Sequence, residues 1–473
     1  MMRKRWQFFV LLSLTALAYI NIFFNGPAID DKIFLGKYCP SVVEAFQGVV
    51  PKGHEGVYRP MRGVIYSAYC KIWGGNAWGY HLHSLVVHLL ATGLVYLIIS
   101  NFKFQILNLP FITALLFGLH PIHTESITYI AASMEMIGVV FMLGAFWLYL
   151  VNARIFSIVL AVVGYFTYEM TLTLPLLLLM YEWVMGKSSQ YKKTISYFVT
   201  LAFYLVVRIG TIGIAGRAPY LVNSVYLTAI TMPKVVVKYL QLMIWPVDLA
   251  NNHLIAPGIE AFVYRGYRTT AIAAQSILDP EVLFSIMVIT FIIAMAIRQR
   301  KKYPLFSFGT GWFFISLLPV LYIFPQGTAI AEKYLYLASI GFILLIAVAI
   351  SKLKVKSKKL KVLIVVVIAV CYGMGTVVRN SEWRDEVTFW GKEVTIYPTD
   401  SAYARFSLGD AYYAQKKYPE AIEEYKKSVE INPWFAVGYA SLARTYADTN
   451  QVELSNLNYQ LAEQAEPGFW SRP

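Results

Sequence analysis

Long apolar runs broken by short polar stretches fill the first 380 residues, and the pattern changes abruptly after that. A membrane-crossing helix takes about 20 mostly apolar residues. The runs near 6–25, 79–100, 106–120, 127–150, 154–170, 172–186, 194–213, 281–297, 304–324, 333–351 and 360–379 therefore predict about eleven spans. The first follows a basic start, Met1–Arg5, as a signal peptide would. It continues into Asn21-Ile22-Phe23-Phe24-Asn25 without a small-residue cleavage site, so it is read as an uncleaved anchor. The run 228–247 is also apolar, but Lys234 and Lys238 mark a polar side, and it is read as an interfacial or re-entrant helix.

Composition agrees with the pattern. Of 473 residues, 58% are hydrophobic and 14% charged, against about 25% charged in an average soluble domain. The net charge of +14 sits in short Lys/Arg clusters between apolar runs. Such clusters face an anionic cytoplasmic leaflet rather than nucleic acid. Arg3–Arg5, Lys103, Arg154, Lys187/Lys192/Lys193, Arg298–Lys302 and Lys352–Lys361 all fall on one side if 228–247 does not cross. The opposite, extracytoplasmic side then holds loops 26–78 and 214–280, the turns 120–126 and 325–332, and everything after about 380. In a prokaryote the membrane would be the cytoplasmic (inner) one. Cys39, Cys70 and Cys371 form no CxxC and no zinc spacing, so neither a disulfide framework nor a metal site is expected from them.

After Arg379 the chain reads as a soluble helical domain, 381–473, with a repeat. Leu408-Gly409 and Tyr412 recur as Leu442-Ala443 and Tyr446; Tyr425 recurs as Tyr459, and Pro433 as Pro467. The 34-residue interval with helix–turn–helix patterning is the tetratricopeptide (TPR) signature, with units near 400–433 and 434–467. Two repeats are few, so the helix around Trp383–Ile396 is expected to supply stacking surface. The fold class is thus all-α: a transmembrane helical bundle, 1–380, followed by a TPR α-solenoid.

The polar residues of the outer loops are the candidate chemistry. Asp30 and Asp31 follow the first span; paired acids at a membrane surface cap a helix or serve as a general base. Arg59 and Arg62 present planar donor forks that match phosphate oxygens. His81 lies in the second span, where a histidine needs a polar interior. The turn His120-Pro121-Ile122-His123-Thr124-Glu125 concentrates three ionisable residues, with no fourth zinc ligand in sight. Glu135 and Glu169 lie in or near the following spans, and Glu332-Lys333-Tyr334 opens a late one.

Several segments together resemble the transmembrane-and-TPR O-mannosyltransferases, a GT-C glycosyltransferase family. They are Asp30-Asp31, Tyr58-Arg59-Pro60, GYHLHSLVVHLL at 79–90, ALLFGLHPIHTESITYIAA at 114–132, Tyr168-Glu169 before an LPLLLL stretch, EKYLYLASIGF at 332–342, and Trp383-Arg384-Asp385-Glu386. Ala132-Ser133-Met134 stands where that family has a Gly-Arg pair, Lys333 replaces an Arg, and the repeat array is short. The resemblance implies a GT-C-type domain that moves a sugar, by inversion, from a polyprenyl-phosphate carrier to an acceptor. The acceptor would be a protein held by the TPR domain. It implies Asp30 or Asp31 as base and Glu125 as a second acid. Arg59, Lys333 and Arg217 would hold the phosphate, with Arg62, His81, His120, His123, Glu169, Glu332 and Tyr334 completing the substrate-binding set. No cofactor is expected, and a metal is left open. The competing readings are a TPR scaffold for envelope or glycan assembly and a lipid-linked glycan polymerase or ligase.

Overall fold

A computed structural model describes residues 2–51, 56–102, 104, 106, 108–186, 188–213, 220–251, 253–256, 259–260, 274–323, 327–354 and 357–471. These residues are helical apart from loops and one short antiparallel pair, β1 (Leu254–Ala256) and β2 (Ile259–Glu260). The helices in chain order are α1 (Met2–Tyr19), α2 (Asp31–Phe34), α3 (Val42–Phe46), α4 (Pro60–Trp73), α5 (Ala77–Asn101), α6 (Leu109–Leu119), α7 (Thr124–Thr128), α8 (Ile130–Leu150), α9 (Arg154–Tyr165), α10 (Leu174–Val184), α11 (Ile195–Ile212) and α12 (Val225–Ile244). They continue with α13 (Pro280–Gln299), α14 (Pro304–Leu317), α15 (Leu335–Lys352), α16 (Lys358–Glu382), α17 (Glu386–Ile396), α18 (Ala402–Ala414), α19 (Tyr418–Ile431), α20 (Ala436–Asp448) and α21 (Val452–Ala465).

Among the described residues, 8 helices are long and apolar enough to cross a membrane, which makes this a multi-pass membrane protein. Two features differ from the sequence reading. The runs 106–120, 154–170, 172–186 and 304–324 contain α-helices of only 11, 12, 11 and 14 residues, roughly 16–21 Å long at 1.5 Å per residue. Each is shorter than the about 20 residues a span ordinarily takes, yet the chain passes along them between the two ends of the bundle, Arg154 standing at one end of α9 and Glu169 beyond the other. Proline sets two of the breaks: Pro110 and Pro121 bracket α6, and Pro175 opens α10. Conversely α12, expected to lie at the interface, has the length and hydropathy of a span.

Close packing holds the bundle. A Cβ on Gly341 would lie 2.3 Å from the Gly309 carbonyl, and one on Gly309 would lie 2.8 Å from the Gly341 carbonyl. Small residues let α14 and α15 touch backbone to backbone, the usual device between membrane helices. Trp312 donates its indole N–H to the Leu337 carbonyl at 2.9 Å across the same seam.

The two ends of the bundle differ in chemistry. At one end basic side chains tie separate loops together. Arg154 donates to the Lys193 carbonyl and Ser196, Arg300 stacks on Trp183, and Lys352 lies over Tyr303. At the other end the loop after α1, α4, α7, the stretch before β1, the start of α15 and α17 come together.

Cys39 and Cys70 form a disulfide, Cα to Cα 5.8 Å. The expectation of no disulfide is corrected here. Spacing gave no sign of it because α3 and α4 bring residues 31 apart in sequence into contact only on folding.

The C-terminal domain is anchored rather than tethered. Trp383, Phe389, Trp390, Val394 and Leu408 share one core with Ala28, Phe34, Tyr66 and Tyr129–Met134 of the membrane half. α17 supplies the face against which the first repeat stacks. Within that repeat, a Cβ on Gly409 would lie 2.6 Å from the Tyr425 ring, whose hydroxyl donates to Asp410 at 2.5 Å. Glycine there lets the two helices of the unit close.

Candidate active site

The loop after α1 runs into the short helix α2, and its two acids end in different surroundings. Asp31 is buried. One of its oxygens accepts the Ala131 N–H at 2.8 Å and the other accepts the Ala28 N–H at 3.2 Å. Burial pushes its carboxyl up to about 8, with those two N–H groups pulling the other way. Asp30 is only half-buried. The Tyr129 phenol faces both acids, and burial with their negative charge holds its proton on.

Two arginines lie beside them on the N-terminal end of α4. Arg59 donates through Nε to Glu169 at 2.6 Å and also meets Glu135, while Arg62 donates to Glu135 at 2.9 Å. Arg59 further stacks on Tyr168, and Arg62 on Phe34. This buried set is balanced, two cations against two carboxylates. Glu135 is the acid of α8 that follows Ala132-Ser133-Met134. The cation lacking from that helix is matched in space by Arg59 and Arg62 from α4.

A second buried set is rich in acid. Glu125, on α7, accepts the Lys333 N–H at 2.9 Å and the Asn251 side-chain N–H at 3.4 Å. Burial pushes its carboxyl up to about 7, opposed by the Lys333 ammonium and reinforced by Glu332. Glu332 accepts the Ala250 N–H at 2.6 Å and the His253 Nε2–H at 3.0 Å. Burial pushes His253 down to about 4, so it is neutral at pH 7. Glu393 of α17 accepts the Asn251 N–H at 2.7 Å. Arg379 at the end of α16 donates to Glu382 at 2.6 Å and reaches toward Glu332 and Glu393 at 3.8 and 3.9 Å. Its Nε and Nη2, and Oε2 of Glu332, have no hydrogen-bond partner among the described residues.

The sets are contiguous. The Lys333 ammonium lies 5.8 Å above the Tyr129 ring, the phenol that faces Asp30. Tyr334 sits between Tyr168 of the balanced set and Tyr239 of the acidic one. The geometry thus brings Asp30, Asp31, Arg59, Arg62, Glu125, Glu169, Glu332, Lys333 and Tyr334 to one end of the bundle.

Three expected residues lie elsewhere. His81 meets the Asn25 carbonyl at 3.1 Å, His120 accepts the Ile122 N–H at 3.2 Å and stacks on Tyr372, and His123 pairs with Ser339 at 2.8 Å. All three rings are buried, and each keeps one nitrogen without a hydrogen-bond partner among the described residues. Arg217 lies outside the described residues. Among the described residues no group of three or more His, Cys, Asp or Glu is arranged to hold a metal ion. Tyr129, Asn251, His253, Arg379 and Glu393 were missed. Arg379 closes the span read at 360–379 and Glu393 lies in the helix read around Trp383–Ile396, where the one signal was charge at the end of an apolar helix.

A family model for the TPR repeat matches residues 409–450. A protein O-mannosyl-transferase of Caenorhabditis elegans is 24% identical over 388 residues, covering 80% of this chain and 54% of the relative. The protein O-mannosyl-transferase TMTC3 of Mus musculus is 23% identical over 430 residues, covering 82% and 46%. The human protein O-mannosyl-transferase TMTC1 is 30% identical over 92 residues, covering 20% and 10%. The chain spans about half the length of the first two relatives. No solved structure matches. The resemblance read from the sequence is borne out: along about four-fifths of its length the chain is similar to protein O-mannosyl-transferases, on a multi-pass membrane scaffold with a C-terminal TPR repeat.

Proposed function

We propose that the chain is an integral-membrane glycosyltransferase that moves a sugar from a polyprenyl-phosphate carrier to a protein hydroxyl on the extracytoplasmic face. The observation that carries this reading is the contiguity of Asp30, Tyr129, Lys333 and Glu125. It sets a half-buried carboxylate and an ammonium against one phenol. The names of the relatives give the reaction class, and the basic loops at the opposite end favour an outward-facing site. A disulfide at the site's end suits an oxidising compartment.

In this reading the acceptor oxygen attacks the anomeric carbon as the bond from that carbon to the phosphate oxygen breaks. The electron pair leaves on the phosphate. Inversion follows from a single displacement. The acceptor's proton passes to Asp30, whose carboxylate is the less buried of the pair. Asp31, with both oxygens engaged by backbone N–H groups, holds the loop against α8 and is a positioning residue. Lys333 meets the phosphate charge, and Glu125 orients Lys333 through its backbone N–H. The repeat domain, fixed through Trp383 and Glu393, presents the acceptor polypeptide.

The test is transfer of label from polyprenyl-phosphate sugars, with mannose first, to extracytoplasmic proteins by the purified chain. Label on protein supports the reading. Label on glycan alone would replace it with the polymerase or ligase reading. No transfer from any donor by folded protein would favour the scaffold.

A further inference from the structure

A groove with a volume of about 520 Å³ opens between α12 and α13, outside the sets described above. Lys234, Lys238 and Gln241 line it from α12, at the i, i+4, i+7 spacing that shares one helix face. Glu281 and Phe284 line it from α13, and Ile330 closes its inner side. Glu281 engages Lys234 at 2.5 Å. Lys238, half-buried between these apolar walls, makes no ion pair or hydrogen bond among the described residues. Among the described residues, the one carboxylate that lines the groove, Glu281, is engaged by Lys234, which leaves the Lys238 ammonium with donors for a bound anion.

The surroundings define the anion. Phe284, Met287 and Phe291 follow on one face of α13 and are exposed, giving an apolar track that leads away from the cation. Ile330 stands three residues before Lys333, and Leu254, also on the groove wall, adjoins His253. We infer that this groove binds the phosphate of a lipid phosphate ester, with the head on Lys238 and Gln241 and the tail along α13. It is a second phosphate position beside the one at Lys333. The inference rests on the transferase reading for its purpose, a berth for the carrier before or after transfer, but binding there can be measured without transfer.

The experiment counts bound citronellyl phosphate by native mass spectrometry on the full chain in dodecyl maltoside, a phosphate-free detergent. The expected result is two molecules per chain in the parent, and one in Lys238→Gln that is lost again in the Lys238→Gln/Lys333→Gln double variant. Lys238→Arg should keep both. The affinity of the second site should fall about tenfold or more in Lys238→Gln, and inorganic phosphate should bind at least a hundredfold more weakly than the ester. An unchanged count in Lys238→Gln would overturn the inference. So would inorganic phosphate binding as tightly as the ester, which would make this a soluble-phosphate site. Dioleoylphosphatidylglycerol displacing the ester at equal concentration would reduce it to a general lipid contact and overturn it too. If only the Lys333 position is vacated by mutation, the groove inference fails and the transferase reading stands. If no sugar is transferred yet Lys238→Gln still loses one bound ester, the reverse holds.

Discussion

Two buried charge sets lie within one end of this protein and are built on opposite principles. Around Arg59 and Arg62, two guanidinium groups meet two carboxylates, and the Arg59 and Arg62 ion pairs close at hydrogen-bond distance. Around Glu125, Glu332, Glu382 and Glu393, the four acids outnumber the three cations Lys333, Arg379 and Lys392, the last 3.9 Å from Glu382. The Arg379 contacts to Glu332 and Glu393 stay near 3.8–3.9 Å, and His253 is neutral. A balanced, closed set resists change, because removing one member strands a charge. An acid-rich, loosely closed set keeps its protons and its ammonium available to a ligand. The first fixes α4 against α8, and the second, next to the half-buried carboxylate of Asp30, is where chemistry has room.

The largest expected effect breaks the balanced set. Arg59→Ala leaves Glu169 and part of Glu135 buried without their cation, and should cost about 3–5 kcal/mol of stability, seen as a large fall in melting temperature. A variant as stable as the parent would show that the set is not the brace described here. Next in size is the disulfide. Replacing Cys39 and Cys70 by Ser should cost about 3–4 kcal/mol from the lost loop constraint. Because Cys70 lies on the helix that carries Arg62, the loss should be read by thiol-trapping and melting, and the Glu125 set should keep its titration.

Smaller effects sharpen the other side. Lys333→Gln should raise the KM for the lipid-phosphate donor about tenfold, an exposed-to-buried charge contact being worth roughly 1–2 kcal/mol, while stability hardly moves. A changed melting temperature with an unchanged KM would assign Lys333 to structure. The smallest effect is a pH slope. Burial raises the folded carboxyl of Glu125 from 4.5 to about 7, so the folded state holds a proton that the unfolded chain has released. Its contribution is fully present below about 4.5 and is lost as pH rises through about 7. Glu125→Gln lacks that loss, and its melting temperature should fall less than the parent's between pH 5 and 8. Parallel curves would remove Glu125 from the titrating set.

Legibility in the sequence followed locality. The apolar runs and the 34-residue period are local patterns, and helices and repeats stand where they fall. The gathering of Asp30, Arg59, Glu125 and Lys333 at one end was readable from the basic loops, since charge placement along the chain fixes which loops share a side. Helix breaks at Pro110, Pro121 and Pro175 sit inside apolar stretches, so hydropathy alone reads through them. The Cys39–Cys70 pairing and the docking of Arg379 and Glu393 beside Glu332 are long-range contacts that no spacing encodes. His120 and His123 lie in the most specific segment of the resemblance, 114–132, and His81 in the segment 79–90, yet all three rings are buried and hydrogen-bond away from Asp30 and Lys333. A motif of this kind does not separate a residue that touches substrate from one that shapes the loop.

The most direct measurement compares Asp30→Asn with Asp31→Asn in sugar transfer, alongside their melting temperatures. The account predicts that Asp30→Asn folds as the parent does and loses transfer by on the order of a thousandfold. Asp31→Asn should lose stability, with transfer falling only as far as the folded fraction falls. Normal transfer by Asp30→Asn, or full stability with no transfer in Asp31→Asn, would contradict it.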